Sequence, residues 1–205
     1  MLEISRLLPG QITCFLHFST DEVYGESTSS GEVFGEEAAF CPTNPYAASK
    51  AAAECLVTAY SKSFGLPTII TRSNNVYGPN QYPEKIIPKF IARLMKNLPL
   101  EIHGDGSNSR NYLYCTDVAK AIDLILHNGR IGETYNIGCD DEISNSKLAE
   151  MIAQACGAHM ATTVHVQNRL YNDKCYRINS DKLRALGWKA SVSFEDGLKE
   201  TGTST

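Results

Sequence analysis

One long helical pattern set between two short apolar runs constrains this chain more than any other feature. Asn44 offers a side-chain cap and Pro45 a proline at the first helical position, opening YAASKAAAECLVTAYSKSF at 46–64. Gly65 stops the helix, and Leu66 and Pro67 lead into an apolar, β-branched run at 68–72. A run of the same kind at 13–19 precedes it. Strand, helix and strand in that order predict a βαβ unit with parallel strands, the element of doubly wound α/β sheets. Such sheets bind ligands at the carboxyl ends of their strands. There, within STDEVYGE at 19–26, the first strand closes on two adjacent acids, Asp21 and Glu22.

The pattern continues on both sides of this unit. Residues 2–8 read as the end of a helix, and 26–44, rich in Gly, Ser, Glu and Thr, as a long surface loop. Beyond the unit the pattern predicts a helix at 84–96, strands at 100–103 and 110–115, and a helix TDVAKAIDLILH capped by Thr116. A strand at 133–138, a helix capped by Ser144 and running to 156, short tail strands, and helices at 180–186 and 194–201 complete it. No Pro/Ser linker divides the chain, so a second domain would be interleaved with the first. VYG occurs at 23–25 and 76–78, read as two loops at the same edge of one sheet.

Composition narrows the function. With 19 basic against 23 acidic side chains the net charge is -4, and no Lys/Arg cluster falls on one face, which argues against nucleic acid and for small-molecule partners. No apolar run reaches the roughly 20 residues that span a bilayer, and MLEISRLLPGQ lacks signal-peptide character. No membrane association and a cytoplasmic location are expected. Seven cysteines without a CxxC pair read as free, buried, reduced thiols, and five histidines without HxxxH spacing indicate no metal.

Tyr46 and Lys50 lie four apart, on one helix face. A tyrosine is a general base near neutral pH only when its phenolate is stabilised, because its ordinary pKa is about 10; a fixed ammonium nearby favours the charged form. Lys89 and Arg93 read as solvated charges on the outer face of the 84–96 helix.

The motifs STDEVYGE, PTNPYAASKAAAE, TRSNNVYGPNQYPEKIIPKFI, IHGDGSNSRNYLY, TDVAKA, YNIG and NDKCYRINSDKLRALGW run in order along nearly the whole chain. Together they resemble the extended short-chain dehydrogenase/reductase family of nucleotide-sugar enzymes. The nearest resemblance within it is to NAD-dependent 4,6-dehydratases acting on dTDP-glucose or UDP-glucose, including the dehydratase part of rhamnose synthases. The acid pair carries that choice, since epimerases and decarboxylases of the family generally have small or hydroxyl residues at its two positions. The resemblance implies catalytic Thr20, Asp21, Glu22, Tyr46 and Lys50, with Tyr46 as base at the C4 hydroxyl, Glu22 as base at C5 and Asp21 as acid to the leaving C6 hydroxyl. It further implies NAD held by Ser19, Tyr46, Lys50, Ser73 and Asn74, and substrate held by Asn75, Lys85, Arg110, Asn145 and Asp173. Pairing of two copies through the YxxxK helix is also implied.

Several departures qualify the resemblance. No GxGxxG occurs among the 15 glycines, although the family opens with a glycine-rich loop that binds the NAD pyrophosphate at a helix N-terminus. Relatives usually carry proline at Leu170 and arginine at Cys175, and continue past TGTST with an aromatic helix. The expectation is an α/β chain: the C-terminal portion of a Rossmann-type doubly wound parallel sheet plus a small α/β substrate-binding domain. Residues 1–78 would form a partial NAD-binding domain lacking its first strands, and 79–205 mainly the sugar-nucleotide domain, with 110–128 returning to the Rossmann part. The alternatives are an inert truncated homologue that pairs with a complete subunit, and an epimerase or decarboxylase of the same family.

Overall fold

A computed structural model describes residues 1–27, 31–158, 161–168 and 172–203. Leu170 and His159 lie outside them. The chain divides into two compact units. The first comprises Met1–Asn74, Val118–Gly138 and Tyr176–Lys189, the second Asn75–Asp117, Cys139–Cys175 and Ala190–Thr205.

The first unit is built on three parallel strands, β1 (Phe15–Thr20), β2 (Thr68–Ser73) and β6 (Thr134–Ile137), in the order β1-β2-β6. Every residue of β2 is buried, as a central strand covered on both faces requires. Between β1 and β2 runs α2 (Pro45–Phe64), following the short α1 (Leu2–Arg6). Its ends are those the sequence predicts: the Asn44 side chain accepts from the Ala47 N–H at 2.8 Å, and Gly65 takes the left-handed conformation at φ 67°. Its buried stripe is Ala47, Ala51, Glu54 and Val57, so two of the three apolar contacts are methyl groups and the fourth is a carboxylate. β1 ends one residue later than the pattern predicts. Thr20 caps a short 3-10 turn, Asp21–Tyr24, which carries both acids.

In the second unit β3 (Asn75–Tyr77), β5 (Ser109–Tyr114) and β7 (Glu142–Ser144) form one sheet, and β4 (Leu100–His103) and β8 (Thr163–Val166) pair separately. α3 (Ile86–Met95), α5 (Asn145–Ala155) and α7 (Phe194–Thr203) close its core, where Phe90, Leu100, Leu148, Ile152 and Leu198 are at most 2% exposed. The remaining helices belong mainly to the first unit: α4 (Cys115–Asn128) enters it at Val118, and α6 (Asp181–Ala185) lies within it.

Several sequence expectations change. β3 pairs with β5, so 75–78 and 109–114 belong to the second unit and the first resumes at Val118. The two VYG segments are therefore unlike: 23–25 closes the 3-10 turn, and 76–78 holds the end of β3 in another sheet. α4 starts before Thr116, and Asp117 accepts from the Ser191 N–H and hydroxyl and the Val192 N–H at 2.6–2.9 Å. Within the predicted 26–44 loop, Phe34 bridges to Ile178 and Ser27 is buried. None of the seven cysteines is in a disulfide, yet only Cys175 is buried, while Cys41, Cys55 and Cys156 are exposed. Among the described residues no helix is long and apolar enough to cross a membrane.

Gly25 ends the acid-bearing turn at φ 81°, and a Cβ there would lie 2.3 Å from the Cys41 carbonyl oxygen. Gly25→Ala combines a left-handed cost of about 1–2 kcal/mol with a clash against backbone. Urea unfolding is expected to show a loss of at least that size.

Candidate active site

The 3-10 turn and the N-terminal end of α2 bring together the residues the sequence singles out in the first unit. Asp21 is 3% exposed, a burial that a carboxyl group tolerates only with partners. Thr20 Oγ1 donates to Asp21 Oδ1 at 3.0 Å and Asn74 Nδ2 to Asp21 Oδ2 at 2.6 Å. Glu22 is half-buried and accepts from Asn44 Nδ2 at 2.9 Å. Asn44 thus caps α2 with its oxygen and holds Glu22 with its nitrogen, which ties the helix start to the acid turn.

Tyr46 is half-exposed beside this pair. Burial pushes its phenol above the ordinary value, the Glu22 and Asp21 carboxylates push it further the same way, and a hydrogen bond with Thr20 opposes them. The Lys50 ammonium donates to the Phe18 carbonyl at 2.6 Å. Lys50 fixes the helix to β1, one turn from Tyr46. Ser19, at the end of β1, is 3% exposed with a hydroxyl that has no hydrogen-bond partner. Ser73 and Asn74 are also buried, and their side chains turn inward, Ser73 donating to the Asn74 carbonyl and Asn74 to Asp21 and the Tyr176 carbonyl.

A different set gathers in the second unit. A cavity of about 180 Å³ is lined by Asn75, Arg110 and Asn145, three of the five residues read as substrate-binding, together with Lys89, Glu101 and His103. Arg110 Nη1 donates to the carbonyls of Ser109, Asp173 and Lys174 at 2.6–3.2 Å, which aims the guanidinium. Lys85 is exposed, immediately before α3. The Asp173 backbone carbonyl serves Asn108 and Arg110, so this buried residue also fixes a loop.

Lys89 and Arg93 are partly exposed, as solvated charges are, but they are not isolated. Both pair with Glu101, at 3.3 and 3.1 Å. The strand alternation of LEIH contains the signal: with Leu100 and Ile102 buried, Glu101 and His103 share the opposite face.

The model for the family described as GDP-mannose 4,6 dehydratase matches residues 1–201. A trifunctional UDP-glucose 4,6-dehydratase/UDP-4-keto-6-deoxy-D-glucose 3,5-epimerase/UDP-4-keto-L-rhamnose-reductase of Arabidopsis thaliana is 52% identical over 194 residues, 94% of this chain and 29% of that protein. The structure of a dTDP-glucose 4,6-dehydratase from Bacillus anthracis in complex with NAD is similar at TM-score 0.91 and 39% identity, over 99% of this chain and 64% of that one. A UDP-glucuronic acid 4-epimerase from Bacillus cereus, in complex with UDP-glucuronic acid and NAD, has TM-score 0.91 and 29% identity over 99% and 64%. The chain thus spans less than two thirds of each.

The charges around Tyr46 generate a prediction with a definite sign. Removing a neighbouring negative charge favours the phenolate, so Glu22→Gln is expected to lower the Tyr46 pKa. NMR titration of protein carrying ¹³Cζ-tyrosine, with Tyr46→Phe for assignment, reads the shift; an upward shift or none contradicts this electrostatic reading.

Proposed function

We propose that this chain, which belongs to the GDP-mannose 4,6 dehydratase family, carries the acid–base centre of an NAD-dependent sugar-nucleotide 4,6-dehydratase. The substrate is dTDP-glucose or UDP-glucose and the product the 4-keto-6-deoxy sugar. The observation that carries the reading is a buried acid beside a more open one, facing a tyrosine on a capped helix. An epimerase needs the tyrosine but has no use for the pair, which favours dehydration over the epimerase reading even though epimerase structures match the fold.

Tyr46 takes the C4 hydroxyl proton, with Thr20 supporting the phenolate. The 4-keto group acidifies the C5 proton, which Glu22 accepts, and Asp21 supplies a proton to the departing C6 hydroxyl. An acid must hold its proton beforehand. On Asp21 Oδ1 that proton would point to Thr20 Oγ1, already 3.0 Å away. The same protonation removes one of the two charges that push Tyr46 up, so arming the acid also eases the base.

The unpartnered Ser19 hydroxyl and the half-exposed Tyr46 phenol fit NAD as hydrogen-bonding partners, with Lys50 at the same helix face. A nicotinamide held there would supply hydride transfer between C4 and C6, with Glu22 returning a proton to C5. Asn75, Arg110 and Asn145 converge on the cavity that would take the nucleotide, a guanidinium being suited to a diphosphate; Lys85 and Asp173 would flank it.

Two copies would pair through α2, whose outer face presents exposed Ala48, Ala52, Cys55, Leu56 and Ala59 without a charge among them. Seven cysteines outside any disulfide accord with the reducing cytoplasm.

Incubation with NAD and each sugar nucleotide, followed by alkaline absorbance of the 4-keto-6-deoxy product, tests the function. Product is expected from one or both nucleotides and is expected to vanish in Tyr46→Phe and Glu22→Gln. Turnover that survives in both variants contradicts the assignment.

A further inference from the structure

Below the acid turn lies a buried polar network that the proposed chemistry does not use. Arg72 is the fifth of the six residues of the wholly buried strand β2 and is 5% exposed, and Glu54, on α2, is 1% exposed. The guanidinium meets the carboxylate through Nε at 3.1 Å to both oxygens and through Nη2 at 2.8 Å. Its remaining nitrogen, Nη1, donates to the Tyr24 hydroxyl at 2.7 Å and to the Glu36 carbonyl at 3.0 Å. The guanidinium carbon also lies 4.7 Å from the Tyr24 ring centre and 4.9 Å from that of Phe40. The Tyr24 hydroxyl passes the connection on by donating to Asn136 Oδ1 on β6 at 2.8 Å.

Placement gives this network its meaning. Glu54 is four residues from Lys50 and eight from Tyr46, on the same helix stripe. Tyr24 is the last residue of the turn that carries Asp21 and Glu22. One guanidinium therefore grips both the helix of the proposed base and the turn of the proposed acids, with a fork whose nitrogens have fixed directions.

We infer that Arg72 is a positioning residue, which acts through Glu54 and the Tyr24 hydroxyl to set the Asp21–Glu22 turn against Tyr46. The inference rests on the proposed dehydratase chemistry for its purpose, but its geometry is independent of turnover. An ion pair that only stabilises the core would need no link to Tyr24. Here the link is a single hydroxyl, shared between Arg72 and Asn136, whose removal leaves the ring packing in place.

The test uses Tyr24→Phe, which deletes that hydroxyl, and Arg72→Lys, which keeps the charge and loses the fork; Tyr24→Phe alone decides if Arg72→Lys fails to fold. The groups facing Tyr46 are Asp21, Glu22 and Thr20 from the turn and Lys50 from its own helix. Two readouts need no substrate: the ¹³Cζ titration of Tyr46, and amide exchange at Glu22 and Gly25, whose N–H groups close the turn onto Thr20 and Glu22. Positioning predicts that Tyr24→Phe moves the Tyr46 titration down as the carboxylates draw away. It also predicts that the turn amides exchange about tenfold faster, while those of β2 and α2 keep their protection. An unmoved Tyr46 titration, or protection lost equally everywhere, overturns the inference. Absence of turnover in the unmodified protein would instead count against the dehydratase reading and leave these two readouts to decide the positioning.

Discussion

Everything in the first unit hangs on how one helix is fixed to one sheet. At consecutive turns of α2, Lys50 holds the Phe18 carbonyl of β1 and Glu54 holds the Arg72 guanidinium of β2. The helix buries mainly alanines, so apolar packing alone would let it slide, whereas two charged anchors set its register. A buried ion pair is a poor source of net stability, because desolvation offsets much of the attraction, but removing one partner typically costs about 3–5 kcal/mol. Such a pair resists displacement more than it adds stability. That suits a helix whose first turn must keep a phenol beside two carboxylates.

The second consequence is electrostatic. The Glu22 and Asp21 carboxylates lie close enough to Tyr46 to push its phenol above the ordinary value. Asp21 is enclosed by Thr20 and Asn74, and Glu22 is held at the helix cap by Asn44. The two acids thus occupy different environments although adjacent in sequence, which is the condition for giving them different roles. Lys50, the residue expected to tune the tyrosine, also ties the tyrosine's helix to β1.

Much of this was legible in the sequence because the signals are local. The Asn44 and Gly65 caps, the run of β2 and the i, i+4 spacing of Tyr46 and Lys50 each follow from neighbouring residues. What was not legible depends on residues far apart in the chain. Tyr24, Glu54, Arg72 and Asn136 meet only once β1, β2 and β6 are paired, and an arginine inside TIITRS carries no mark of its partner. The pairing of β3 with β5 was hidden for the same reason. Strand neighbours are assigned by tertiary context, which no local pattern contains.

The central claim is that Glu22 and Asp21 are the base and the acid of a single elimination. Solvent deuterium tests it most directly: each variant is incubated with NAD and the sugar nucleotide in heavy water, and the label at C5 is read by mass spectrometry. The account predicts that Asp21→Asn exchanges the C5 hydrogen while forming little 4-keto-6-deoxy product, and that Glu22→Gln does neither. Undiminished C5 exchange in Glu22→Gln would contradict it.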